Sequence, residues 1–117
     1  MPSEKLDAFG LFLMNVRDKS VTDWEMTVEG RMKSQRAQQI HQELGTLTPE
    51  QKELFSRLLP QIVDTTLHNL LWSLEQTPTT QIVSNGSNVA SESDGLAGEL
   101  YGNRGWISRF SSKGNPY

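Results

Sequence analysis

Four side chains in the segment Leu58–Gln76, LLPQIVDTTLHNLLWSLEQ, have the types and the spacing to do chemistry together. Asp64, His68, Trp72 and Glu75 follow one another at i, i+4, i+8 and i+11. At about 100° per residue they fall within roughly 80° of one another on a helix. A carboxylate one turn before an imidazole can take a hydrogen bond from one ring nitrogen, fix the tautomer and raise the basicity of the other. That is what a general base needs, and equally what a histidine held for a metal needs. The spacing matches neither the His-Glu-x-x-His pattern of zinc proteases nor the Glu-x-x-His pattern of di-iron bundles. The two histidines are His41 and His68, so a metal site would have to draw on Glu25, Glu29 or Glu99. No metal, cofactor or catalytic residue is assigned on this pattern. Three readings stay open: a polar pair that satisfies itself and anchors another segment, a ligand-binding strip, and a catalytic or metal site. The first asks least of the residues.

The strip must be held by a helix. Leu59, Val63, Leu67, Leu70 and Leu74 recur at helical spacing and give it an apolar stripe. Thr48-Pro49-Glu50-Gln51 opens it, with a capping threonine, proline at the first helical position and glutamine at the third. Pro60 lies inside and predicts a kink or a split near Leu59, which would open space beside Asp64. Thr65, Thr66 and Asn69 are expected to be structural, the threonines bonding back to the preceding turn. Upstream, Ser3 can cap a first helix whose stripe is Leu6, Phe9, Leu13 and Val16, with Phe12 beside it, ending near Lys19. Ser20, with Asp23 at its third position, can cap a second segment that turns Val21, Trp24 and Val28 inward. Gly30 breaks or weakens that segment. Residues 31–44 then form a surface helix with the thin stripe Ala37, Ile40 and Leu44, stopped by Gly45.

Residues 1–77 therefore read as a helical bundle, and residues 78–117, rich in Gly, Ser, Asn and Thr, as an extension of the same domain. Within the extension, residues 82–89 look like a short hairpin about Asn85-Gly86, the dipeptide of a type I′ turn. Leu100-Tyr101 and Trp106–Phe110 read as two more short strands. Residues 93–99, SDGLAGE, form a glycine turn with no lysine and no phosphate-loop order. Trp24 is expected in the core. Trp72 and Trp106 are expected to meet as the extension covers the strip, with Arg104 or Arg109 reaching Asp64 or Glu75. The candidate ligand-binding set is thus Asp64, His68, Trp72, Glu75, Glu99, Arg104 and Trp106. The fold class is mainly α: three or four helices with a hairpin-like extension packed on the longest.

Composition limits the function classes. A chain of 117 residues fits one domain able to bury roughly two-thirds of its unfolded surface. The absence of cysteine removes disulfides, thiolate nucleophiles and cysteine zinc sites, and favours a cytoplasmic setting. The early apolar run Ala8–Met14 is too short to span a membrane, and no small-residue cleavage site follows it. A net charge of −3 argues against nucleic-acid binding, and the basic cluster Arg31, Lys33, Arg36 is preceded by Glu25 and Glu29. No serine stands in a nucleophile elbow.

The segments VDTTLHNLLWSLEQ (63–76) and SDGLAGELYGNRGWISRFS (93–111) resemble a small bacterial family, a domain of unknown function. The resemblance spans about a third of the chain and carries no catalytic signature. It implies a bacterial cytoplasmic protein and transfers no site residue. By analogy with small acidic immunity proteins, the first expectation is a non-enzymatic interaction module with a protein partner or a second copy of itself. The alternative is a small-molecule or metal-binding enzyme built on Asp64, His68 and Glu75.

Overall fold

The computed structural model describes residues 4–117; the expected cap Ser3 lies outside them. Among these residues the order is α1 (Glu4–Val28), α2 (Gln35–Leu44), α3 (Pro49–Gln76), β1 (Val83–Ser84), β2 (Ser87–Asn88), 3₁₀ turns at Val89–Glu92 and Ala97–Leu100, and α4 (Trp106–Phe110). The fold is mainly α, with one two-stranded hairpin.

α1 does not end at Lys19. It runs unbroken to Val28 because Ser20 returns its hydroxyl to the Val16 carbonyl at 2.9 Å and Asp23 takes Lys19 at 2.9 Å, so neither acts as a cap. Gly30, at φ 78°, ends it instead. α2 starts later than expected, at Gln35, where Ser34 accepts from Ala37 N at 3.1 Å. Its return onto α1 is fixed by Gln38, which donates to the Gly30 and Met32 carbonyls, and by His41, whose Nδ1 lies 2.9 Å from the Val28 carbonyl.

α3 begins as its sequence requires. Thr48 accepts from Gln51 N, and Gln51 Oε1 accepts from Thr48 N at 2.9 Å. The chain stays helical through Pro60, so the helix is not split there. α1 and α3 are antiparallel neighbours: Arg17 meets Asp64, and Trp24 borders Leu59 and Val63.

β1 and β2 pair antiparallel, Val83 with Asn88 and Ser84 with Ser87, and the turn Asn85-Gly86 has φ 52° and 78°. Both positive angles are what a type I′ turn demands. The two further expected strands are not strands. Leu100 ends a 3₁₀ turn, and residues 106–110 are α4. Trp106, Ile107 and Phe110 fall at i, i+1 and i+4, a helical rather than an alternating pattern, and all three turn toward the core.

The core is one cluster shared by bundle and extension. Leu6, Phe9, Leu13 and Met14 of α1 meet Leu67, Leu71 and Leu74 of α3, and Val89, Leu96, Ala97, Leu100, Trp106 and Ile107 of the extension close over them. Because the extension docks on one side only, burial rotates toward that side. Leu71 is fully buried where Leu70 was expected, and Leu70, Val16 and Trp24 are left exposed.

Candidate functional site

The polar strip on α3 is occupied by the protein itself. Asp64, 1% exposed, is gripped by Arg17, which donates from Nε at 2.5 Å and from Nη2 at 3.0 Å. Tyr117 Oη donates to the same carboxylate at 2.8 Å. Arg17 Nη1 also donates to Asp18 Oδ1 at 3.3 Å and to Ser111 Oγ at 3.0 Å. Asp18 in turn accepts from Ser111 Oγ at 2.8 Å, Ser112 N at 2.7 Å and Ser112 Oγ at 3.1 Å. One buried guanidinium between two carboxylates thus clamps the C-terminal segment across α1 and α3. Burial works to lower the Arg17 pKa, but its hydrogen bond and Coulomb attraction to Asp64, then Asp18, outweigh that and leave it raised.

His68 does not receive Asp64. Its Nδ1 lies 3.4 Å from Tyr101 Oη, with the rings 5.9 Å apart, and Tyr101 meets Tyr117 edge-on at 5.8 Å. Burial, then the charge of Asp64, raises the Tyr101 pKa. Glu75 accepts from Ala97 N at 2.7 Å and so tethers the second 3₁₀ turn. Glu99 accepts from Ser93 Oγ at 3.0 Å within its own loop. The expected arginine contacts are replaced: Arg109 pairs with Asp7 at 2.9 Å and donates to the Arg104 carbonyl at 2.8 Å, and Arg17 takes Asp64. Trp72 and Trp106 do not meet. Trp72 is 52% exposed, whereas Trp106 is fully buried, edge-on to Phe9 at 5.9 Å. Glu25 and Glu29, the other suggested ligands, pair with Lys113 and Arg31. Among the described residues no three His, Asp or Glu side chains converge as a metal set.

The Tyr117 pKa is raised, by burial first and then by its bond to the Asp64 carboxylate. The folded state therefore holds the phenol proton more tightly than the unfolded chain does. The resulting stability is complete below the ordinary tyrosine value near 10 and is lost as pH climbs through the higher folded value. In urea titrations, the stability difference between wild type and Tyr117→Phe should stay level from pH 6 to about 9 and shrink above about pH 10. A difference that disappears below pH 7 would contradict this.

Away from the clamp lies a different surface. Trp24, Phe55, Leu59, Ile62 and Val63 line an apolar groove of about 240 Å³ between α1 and α3. Along α3, Phe55, Leu59, Ile62, Thr66 and Leu70 recur every three or four residues beside it. Along α1, Phe12 and Val16 share one flank at i and i+4, and Trp24 stands about 120° round the helix from Phe12, toward the groove. Phe12 is 61% and Ile62 56% exposed. Leu70 lines a second depression of about 150 Å³ with Ser73, Leu74, Thr77 and Thr80.

The middle of this face carries no net charge. Between Arg57 and Glu75 the ionisable residues are Asp64 and His68. On the groove side of α3 the exposed positions Ile62, Thr66, Leu70 and Ser73 carry none. Thr65 and Thr66 return their hydroxyls to the Gln61 and Ile62 carbonyls. Between Leu11 and Trp24 on α1, the charges outside the clamp are Lys19 and Asp23, which neutralise each other.

No protein-family model, curated protein or solved structure matches the chain.

The sequence reading missed Arg17, Tyr117 and the exposed seam. The signal for Arg17 was present: Leu6, Gly10, Leu13, Arg17 and Val21 share one core-facing stripe, so an arginine sits at a core position on α1. Such a charge requires a buried partner, and Asp64 is that partner at an equivalent position on α3. Tyr117 had no local signal, because its contact spans the fold.

Proposed function

We propose that this protein is a non-enzymatic protein-interaction module that docks a partner on the apolar seam of α1 and α3. The observation that carries the reading is the charge-free line of exposed α3 positions Ile62, Thr66, Leu70 and Ser73 beside the groove of Trp24, Phe55 and Leu59. Solvated helix faces are normally laced with charge, and interface cores are depleted of it. A contiguous exposed apolar patch on a small chain marks a binding site. The polar strip supports the same reading from the other side: Asp64 and Glu75 spend their oxygens on Arg17, Tyr117 and Ala97. An immunity or regulatory role, of the kind suggested by small acidic bacterial proteins, suits a module without chemistry of its own.

The test is a photo-crosslinking residue placed at Leu70 on the seam and, as control, at Gln39 on the exposed side of α2. Illumination in the producing cell should give protein adducts from position 70 and few from position 39. Equal or absent adducts would contradict the reading.

A further inference from the structure

We propose that Asp64 and Tyr101 form a binding socket for a small neutral phenol, filled in this structure by the chain's own Tyr117, and that residues 112–117 are the strap that opens it. Asp64 stands about 160° round α3 from Ile62, so the socket is on the far side from the apolar seam and does not depend on it. Three observations carry it. The first is the occupant. Tyr117 Oη donates to Asp64 Oδ2 at 2.8 Å, and its ring stands edge-on to Tyr101, with centroids 5.8 Å apart and planes at 82°. A carboxylate that accepts from the hydroxyl and a ring that packs on the aromatic body are the two contacts that recognise a phenol.

The second is how the strap is held. None of residues 112–117 is buried, and the chain takes no helix or strand after Phe110. The core cluster ends at Phe110 too. Beyond it the attachments are polar: Ser112 to Asp18, Lys113 Nζ to Glu25 at 3.1 Å, and Asn115 Nδ2 to Ser108 Oγ at 2.7 Å. Exposed hydrogen bonds without buried apolar area mark a segment that opens locally while the rest of the fold stays closed. Asp64 is 1% exposed, whereas the Tyr117 that covers it is 61% exposed. A side chain mostly in water therefore shuts a carboxylate off from water, and its departure uncovers Oδ2.

The third is charge. Asp18 and Asp64 share one cation, Arg17, so this buried cluster is net negative. It draws a hydrogen-bond donor and repels an anion. Arg17 donates to Asp64 twice without any help from the strap, so the acceptor keeps its place when Tyr117 leaves. A neutral hydroxyaryl group meets both demands, and a carboxylate or phosphate meets neither.

The experiment titrates 4-methylphenol, the Tyr117 side chain as a free molecule, into the full chain with Tyr117→Ala and into wild type, followed by NMR. Its isomer anisole, which has the ring and the oxygen but no donor, is the control. Unchanged Trp106 resonances report an intact core. A single ring at a half-open site binds in the roughly millimolar range, so the titration runs from about 0.1 to 10 mM. In Tyr117→Ala, 4-methylphenol is expected to move the Tyr101 and Asp64 resonances at least about tenfold more tightly than anisole does, since only it donates to the carboxylate. In wild type its affinity should fall at least about tenfold further, because the tethered Tyr117 competes at an effective concentration on the order of millimolar or above. Equal affinity for the two compounds would reduce the socket to an apolar contact and overturn it. So would a variant whose Tyr101 and Asp64 resonances do not move. A wild type that binds 4-methylphenol as well as the variant does overturns the strap, since Tyr117 would not be occupying the site.

Discussion

Arg17→Met should remove about 3–5 kcal/mol of stability, a large share of the roughly 5–15 kcal/mol a domain of this size commands. The loss comes less from the missing attraction than from what remains. Asp64 is 1% exposed, and without the guanidinium it keeps one strong donor, Tyr117 Oη. Asp18 loses the cation beside it as well. The double variant Arg17→Met/Asp64→Leu should recover most of the loss, because a well-packed apolar pair replaces a buried ion pair at little net cost. Urea midpoints at unchanged slope give both numbers. A single variant within about 1 kcal/mol of wild type would mean that the clamp is not a buried charge pair.

The second large effect belongs to Trp106. Its ring is fully buried against Phe9, and a Cβ built on Gly10 would stand 2.4 Å from its Nε1. Trp106→Ala should cost about 3–5 kcal/mol through lost transfer energy and the cavity left behind. Gly10→Ala in the wild type should cost about 1–3 kcal/mol, since the ring has no room to give. In the Trp106→Ala background the sign should reverse. The methyl then enters a void and the helix gains roughly 1 kcal/mol of propensity. That change of sign, read by thermal melts of the four proteins, is the mark of direct contact. Additive effects would contradict the packing.

How much of this was legible in the sequence depends on how local the cause is. The α3 start and the Asn85-Gly86 turn were readable because a few adjacent residues determine them. The two strands expected at Leu100-Tyr101 and Trp106–Phe110 are a period error: Trp106, Ile107 and Phe110 satisfy a helix, and short apolar pieces beside glycines mimic strands. Leu70 against Leu71, and the exposure of Trp24 and Val16, could not be read from one helix. Which flank is buried depends on where residues 78–117 dock, and that is set by contacts of long sequence separation. For the same reason the strip at Asp64, His68 and Glu75 looked like a reactive surface. Its partners Arg17, Tyr101, Tyr117 and Ala97 lie at least 22 residues away.

The division between a structural polar strip and a working apolar seam is tested most directly by one comparison. The crosslinking residue at position 70 is placed in wild type, in Ile62→Asp and in His68→Ala, and adduct yield is measured at equal protein level. The expected result is a yield kept in His68→Ala and reduced at least about tenfold in Ile62→Asp, since a charge buried in an apolar contact costs more than one factor of ten in affinity. Yield lost in His68→Ala and kept in Ile62→Asp would place the working surface on the strip instead, and the assignment made here would be wrong.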